Sequence, residues 1–265
     1  MSGSVPGLAG RVALVTGSTS GIGLAIARRL ARDGCHVVLH GFGDPAPIAS
    51  LEKELVDSGA SQAWHVAADL LRPEEIERMV ARVGERHGRL DILVNNAGIQ
   101  HVAPIESFPV ERWDAVLAVN LSAAFHTTRL ALPLMRQHQW GRIVNIASVS
   151  GLVAAPMKSA YAAAKHGLIG LTKVTALETA TSAITCNAIC PGWVLTPLVE
   201  RQLQARMAAD GVDRDEATRR LLVKQPSQAF VTLEQVAALA AYFVSEEAAQ
   251  TRGAAWNVDG AYTVA

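Results

Sequence analysis

Cysteine is scarce in these 265 residues: Cys35, Cys186 and Cys190 form no CxxC pair and stand in or beside apolar stretches. That excludes a disulfide framework and reads as reduced, buried thiols. There is no charge excess of either sign, with 24 lysines and arginines against 24 aspartates and glutamates. A balanced chain has no electrostatic basis for binding nucleic acid or an acidic membrane. The opening MSGSVPGLAG lacks the basic and apolar segments of a signal peptide. No apolar run is read as long enough to span a bilayer. His65, His101 and His126 show no metal-ligand spacing. Repeats, low complexity and linkers are also missing. The expectation is a soluble cytoplasmic protein with no metal, nucleic-acid or membrane partner.

Half of the residues are hydrophobic, enough for a sizeable core. Short apolar runs at Val12–Thr16, His36–His40, Ala63–Ala67, Ile92–Val94, Arg142–Ala147, Ile184–Ile189 and Ala255–Val258 read as strands, with helical stretches between them. This alternation predicts one α/β domain over 1–265, a doubly wound parallel sheet of about seven strands with helices on both faces. A polar helical insertion at about 196–231 follows a strand's C-terminal end, where it is placed to cover a site. A long helix is expected over Glu111–Leu134, with Asn120 inside it; buried there, the amide needs partners, either backbone or a relay water.

The first strand runs into Gly17-Ser-Thr-Ser-Gly21-Ile-Gly23 and then a helical stretch. Strand, glycine loop and helix are the context of a dinucleotide-binding fingerprint, in which glycines admit the pyrophosphate to a helix N-terminus. At the end of the second strand stand His40 and Gly41, with Asp44 later and no arginine for a ribose phosphate, which favours NAD over NADP. Phe42 lies either against an adenine or over the sheet edge. Asp69 either accepts from the adenine amino group or caps the helix opening at Pro73. Asn95-Asn96-Ala97-Gly98 is either a close passage for a ribose or a polar turn.

Ser148 ends a strand, and Tyr161 and Lys165 sit one turn apart on a predicted helix. A free phenol has a pKa near 10, so making Tyr161 a base near neutrality needs about three units, roughly 4 kcal/mol. Lys165 is expected to supply part of that as a nearby positive charge. Ser148 would donate to the reacting oxygen. Lys158 lies three residues before Tyr161 and is either a pocket cation or a surface lysine.

TGSTSGIG at 16–23, NNAG at 95–98, Asn120, Ser148, Tyr161-x-x-x-Lys165 and PGWVLTP at 191–197 together resemble the short-chain dehydrogenase/reductase family over nearly the whole chain. GFGDP at 41–45, NNAGIQ at 95–100, GLVAAPMKSAY at 151–161, CNAICPGWV at 186–194, KQPS at 224–227 and NVDGAY at 257–262 resemble its bacterial D-3-hydroxybutyrate dehydrogenases. The resemblance implies a homotetrameric, NAD-dependent enzyme that oxidises (R)-3-hydroxybutyrate to acetoacetate reversibly. It implies catalytic roles for Asn120, Ser148, Tyr161 and Lys165, with Asn120 holding a water that links Lys165 to solvent. Cofactor contacts are expected at Gly17, Thr19, Gly21, Ile22 and Gly23, at Phe42, Asp69 and Leu70, and at Asn96 and Gly98. Tyr161, Lys165, Pro191, Gly192, Val194 and Thr196 complete that set. Gln100, Lys158 and Gln202 match residues that hold the substrate carboxylate, Trp193 matches one that lines the pocket, and Ser148 and Tyr161 contact the reacting end. Two departures bear on the size of the acid: Ser150 stands where the family usually has histidine, and Ala261-Tyr262 where a tryptophan is usual. The competing readings are an NADPH-dependent 3-oxoacyl thioester reductase and a nucleotide sensor without turnover, which fold alone does not separate.

Overall fold

The computed structural model describes Val5 and residues 7–265. The apolar runs become β1 (Val12–Val15), β2 (His36–His40), β3 (Gln62–Val66), β4 (Ile92–Asn95), β5 (Gly141–Ile146), β6 (Ile184–Pro191) and β7 (Ala255–Val258). All neighbours pair in parallel, in the order β3-β2-β1-β4-β5-β6-β7. The central strands β1, β4, β5 and β6 are buried throughout, as parallel strands covered on both faces require. The edge strands β3 and β7 are partly exposed.

The helices are α1 (Gly21–Arg32), α2 (Pro45–Asp57), α3 (Pro73–His87), α4 (Val110–Leu117), α5 (Ala123–Gln137), α6 (Ser159–Glu178), α7 (Pro197–Asp210), α8 (Arg214–Leu222) and α9 (Leu233–Val244). Alternation along each strand sorts side chains to two cores. Ala13 and Val15 of β1 join one core with Ile26 of α1, Leu55 of α2 and Phe243 of α9. Val12 and Leu14 join the other with Ile76 of α3, Met135 of α5 and Ala176 of α6. Helices therefore cover both faces, as expected. The three cysteines are free and buried.

Two readings of the sequence are corrected. The helix expected over Glu111–Leu134 is not one regular α-helix: α4 and α5 are joined by a π turn over Ala118–Ser122, centred on Asn120. The helical segment 196–231 is two helices, α7 and α8, followed by an extended return in which Val231 bridges Val194. Val110–Gln137, 28 residues containing an 18-residue stretch of mean hydropathy 1.2, is long and apolar enough to cross a bilayer by length and composition alone. Its α5 half places Ala131 and Met135 in the core beneath the sheet, which accounts for that apolarity. Two helices had no specific sequence assignment. One is α2, in which Leu55 alone is fully buried; the other is α9, opened by a Thr232–Gln235 capping box.

A polar cluster crosses the interior below the C-terminal ends of β4 and β5. Asn95 Nδ2 donates to Asn145 Oδ1 at 2.9 Å, and Thr127 Oγ1 donates to Asn95 Oδ1 at 2.6 Å. Asn145 Nδ2 donates to Thr172 Oγ1 at 2.8 Å. These bonds join two strands to α5 and α6.

Candidate active site

The strand order reverses between β1 and β4, and a cleft of about 970 Å³ opens at their C-terminal ends, where doubly wound sheets bind ligands. Gly17 makes the turn out of β1 at φ +62°, and a Cβ there would lie 2.9 Å from the Ala97 backbone. Gly23, one turn into α1, packs so tightly that a Cβ would overlap the Gly17 carbonyl and the Asn96 amide. The N-cap residue of α1, Ser20, makes no side-chain cap, and no acid stands in the first turn. The N-terminal N–H groups are thus left for an anion at the cleft.

Of the cofactor set, Gly17, Thr19, Gly21 and Ile22 line this cleft, as do Phe42, Asp69 and Leu70. Asn96, Gly98, Tyr161 and Lys165 line it too, and Pro191, Gly192, Val194 and Thr196 reach it from the end of β6. Gly23 lies beneath the lining and acts on its shape. Phe42 is 72% exposed and so covers no sheet edge. Asp69 does not cap α3: its Oδ1 accepts from the Leu71 N–H at 3.0 Å, and the N-cap position is Arg72. His40, which lies in the region expected for the ribose, is buried, and both its ring nitrogens are engaged by backbone. The cleft also takes in Arg112 and Arg201, absent from the sequence reading because an isolated arginine on a helix carries no local signal.

Ser148, Tyr161 and Lys165 meet in the same cleft. Ser148 ends its strand in extended conformation, and its Oγ accepts from the Ser150 N–H at 3.1 Å. Its hydroxyl is also within hydrogen-bonding reach of the Tyr161 phenol. Lys165 is buried; its Nζ donates to the Ile146 carbonyl at 2.7 Å and lies 5.7 Å from the Tyr161 ring centre. Burial pushes the phenol up, with the Ser148 hydrogen bond acting the other way. Burial also pulls the Lys165 ammonium down to about 8. Burial of the phenol is thus a cost that the positive charges expected to favour the phenolate, Lys165 and an oxidised nicotinamide, would have to offset.

Asn120 lies behind the cleft, against a water-sized cavity that Asn95 and Thr127 also line. Its Oδ1 accepts from the Ile99 N–H at 2.8 Å and its Nδ2 donates to the Ile99 carbonyl at 2.9 Å. The side chain thus ties down backbone with one amide hydrogen and one oxygen lone pair, as the first of the two alternatives has it.

The residues expected for a carboxylate do not all line the main cleft. Gln100 does. Gln202 of α7 reaches it through Nε2, which donates to Gln100 Oε1 at 2.9 Å. Lys158 places Nζ 4.6 Å from the centre of the Trp193 ring, forming an adjoining cluster. Burial, and then Arg206, push the Lys158 ammonium down. Gln100 Nε2 is buried without a hydrogen-bond partner. Ser150 is buried beside Ser148, and Tyr262 lies outside the cleft lining.

A doubly wound sheet with a glycine loop at a helix N-terminus and Ser148, Tyr161 and Lys165 in one cleft defines a dinucleotide-dependent oxidoreductase. The profile of the short chain dehydrogenase family matches residues 11–207, and the chain belongs to that family. It is 56% identical over 256 residues to the D-beta-hydroxybutyrate dehydrogenase of Cupriavidus necator, covering 96% of this chain and 98% of that one. It is 52% identical over 254 residues to the D-beta-hydroxybutyrate dehydrogenase of Rhizobium meliloti, with the same coverage of 96% and 98%. The crystal structure of a variant actinorhodin polyketide ketoreductase with NADPH superposes with a TM-score of 0.90 at 38% identity, covering 96% of this chain and 97% of that one. The cofactor class is accordingly a nicotinamide dinucleotide.

Asn120→Ala would leave both Ile99 backbone groups unpaired. It should cost about 1–3 kcal/mol of stability by urea unfolding. Hydrogen exchange at the Ile99 amide should accelerate more than at β4; unchanged protection there would refute the tie.

Proposed function

We propose that this enzyme oxidises (R)-3-hydroxybutyrate to acetoacetate, reversibly, with NAD as the hydride acceptor. The observation that carries this reading is Lys158. It is a half-buried cation beside Trp193, with no ion-pair partner among the described residues, next to an amide pair whose Gln100 Nε2 is likewise unpartnered. A small carboxylate answers both needs. The activity named for the Cupriavidus necator and Rhizobium meliloti relatives agrees with it. A thioester offers no carboxylate and would leave the cation uncompensated, so the ketoreductase reading is less favoured. A pure sensor has no use for the Ser148–Tyr161–Lys165 group.

NAD is favoured over NADP because residues 36–44 contain no lysine or arginine, and both nitrogens of His40 are already bonded. A nicotinamide bound in the cleft would supply the acceptor for the hydride from the carbinol carbon. Tyr161 takes the hydroxyl proton in the same event. One lone pair of Ser148 Oγ is held by the Ser150 N–H, so its own proton points to the reacting oxygen and steadies the forming carbonyl. Lys165 stays at the Tyr161 ring, anchored on Ile146, and moves the proton onward. Asn120 acts by fixing the Ile99 segment that follows the NNAG turn. Lys158, Gln100 and Gln202 hold the acid, and Trp193 shields its cation.

The whole chain acts as one catalytic domain in the cytoplasm, with the segment 196–231 as the cover that brings Gln202 to the acid. Phe125 of α5, Val174 and Leu177 of α6 and Trp256 of β7 are exposed apolar residues on faces suited to self-association, in line with a homotetramer. Light scattering should then give about four times the 28.0 kDa chain mass, and a monomer would refute the assembly.

The test is NADH formation over a panel of free hydroxy acids, each with NAD and NADP. Tyr161→Phe should lower kcat by about 10²–10⁴ with cofactor binding retained. Near-native turnover would remove Tyr161 from the mechanism. Lys158→Ala should raise KM for the acid by about 10- to 100-fold and leave cofactor affinity alone. Equal use of an uncharged 3-hydroxy ester by the unaltered enzyme would refute the carboxylate pocket.

A further inference from the structure

The segments that grip the dinucleotide are held together by one buried side chain. His40 closes β2 and is 3% exposed. Its Nδ1 accepts from the Gly17 N–H at 3.1 Å, so that nitrogen carries no proton. Its Nε2 then carries the ring proton and donates to the Ala68 carbonyl at 3.1 Å. Gly17 is the turn residue of the glycine loop, and Ala68 immediately precedes Asp69 and Leu70 at the far side of the cleft. The His40 backbone is tied to the same loop. Its carbonyl accepts from the Ser18 N–H at 2.8 Å, and its own N–H donates to Ser18 Oγ at 3.0 Å. Ser18 Oγ in turn donates to the Val15 carbonyl at 2.7 Å. The opposite side of Gly17 is held by Asn96 Nδ2, which donates to its carbonyl at 3.0 Å.

We propose that His40 is a positioning residue for the dinucleotide: its neutral Nε2–H imidazole sets the spacing between the glycine loop and the Ala68–Leu70 loop, so that protonating it weakens cofactor binding. This rests on the reading of the glycine loop as the dinucleotide site. An Nδ1 proton would face the Gly17 N–H, donor against donor, in a space without solvent. The loop must then move or the charge must leave. The surroundings do not offer the imidazolium a counterion. Residues 16–23 of the glycine loop contain no titratable side chain. On β3, His65 opposes a second positive charge. Asp69, in the connection after β3, is committed to the Leu71 N–H and lies 3.7 Å from Arg72. Glu75 at the start of α3 accepts from the Asp69 N–H at 2.7 Å. Beyond Gly41, Asp44 precedes α2. Burial accordingly pushes the His40 pKa below its ordinary 6.5.

The sign follows. A group whose pKa is depressed in the folded, ligand-ready state binds fewer protons there than in the loosened one, so affinity is full above the ordinary histidine pKa and is lost as pH falls below it. ADP-ribose is the probe because it engages the loops and lacks the hydride-accepting ring. Its Kd, measured calorimetrically from about pH 8 to about pH 4.5, should rise by about tenfold or more across the acid limb in the unaltered protein. His40→Gln keeps a neutral acceptor and donor and should flatten that limb. His65→Gln, which spares His40, should keep it. Nitrogen NMR of His40 should report the Nε2–H tautomer, and saturation with ADP-ribose should lower its pKa by the reciprocal factor. This last measurement needs no variant that folds. An acid limb that persists in His40→Gln, or a His40 pKa that ADP-ribose does not move, would overturn the proposal. Absence of ADP-ribose binding even at about pH 8 would instead overturn the dinucleotide reading on which it stands.

Discussion

Everything in the cleft depends on how the chain holds β1 and β4 together at the point where their continuations part. The connections leave to opposite faces of the sheet, and nothing in the strand ladder prevents the two ends from splaying. Thr16 and Asn96 close the gap. Thr16 Oγ1 accepts from the Asn96 N–H at 3.0 Å and the Ala97 N–H at 3.1 Å, and lies 3.3 Å from the Val94 carbonyl. Asn96 Nδ2 answers with bonds to the carbonyls of Thr16 at 2.9 Å and Gly17 at 3.0 Å. Each partner satisfies backbone groups that the end of a strand would otherwise leave unpaired. The glycine loop, the NNAG turn and the helix N-terminus take their relative positions from this splice.

Below it, the polar cluster of Asn95, Asn145, Thr127 and Thr172 carries the same order into the core. Buried amides are costly unless every donor and acceptor is matched, and a matched set has few alternative arrangements. The catalytic groups stand on regular elements attached to this layer: Ser148 just beyond β5, and Tyr161 and Lys165 in the first two turns of α6. Lys165 is further anchored to the Ile146 carbonyl at the end of β5. Two elements, one bond and one layer below thus set the distance between base and hydroxyl.

Much of this was legible in the residues because the relevant physics is local. Alternating apolar runs and helical stretches give the sheet and its two coverings. Glycines at 17, 21 and 23 mark where backbone must pass close, and the four-residue spacing of Tyr161 and Lys165 puts both on one helix face. What escaped is what depends on long-range contact. Nothing near Asn120 in the chain signals that Ile99, 21 residues earlier, takes both ends of its amide. Nothing near His40 signals that its ring is turned inward to Gly17 rather than outward to a ribose. The same holds at Tyr161: proximity of an ammonium can be read from spacing, whereas the depth of burial that raises the phenol cannot. The polar helices α7 and α8 were foreseen as an insertion, but the bond between Gln202 and Gln100 needed the fold.

The π turn at Ala118–Ser122 has a consequence for how this helix tolerates change in length. A wide turn accommodates one residue more than an α-helix would over the same rise, and every side chain after it is rotated by about 100° from where uninterrupted winding would put it. Deleting a single residue within those five would let the backbone relax to ordinary winding while leaving Ala131 and Met135 facing the sheet. A one-residue deletion is therefore tolerated inside this turn and not in the regular winding of α5, where it would rotate the core side of the helix toward solvent.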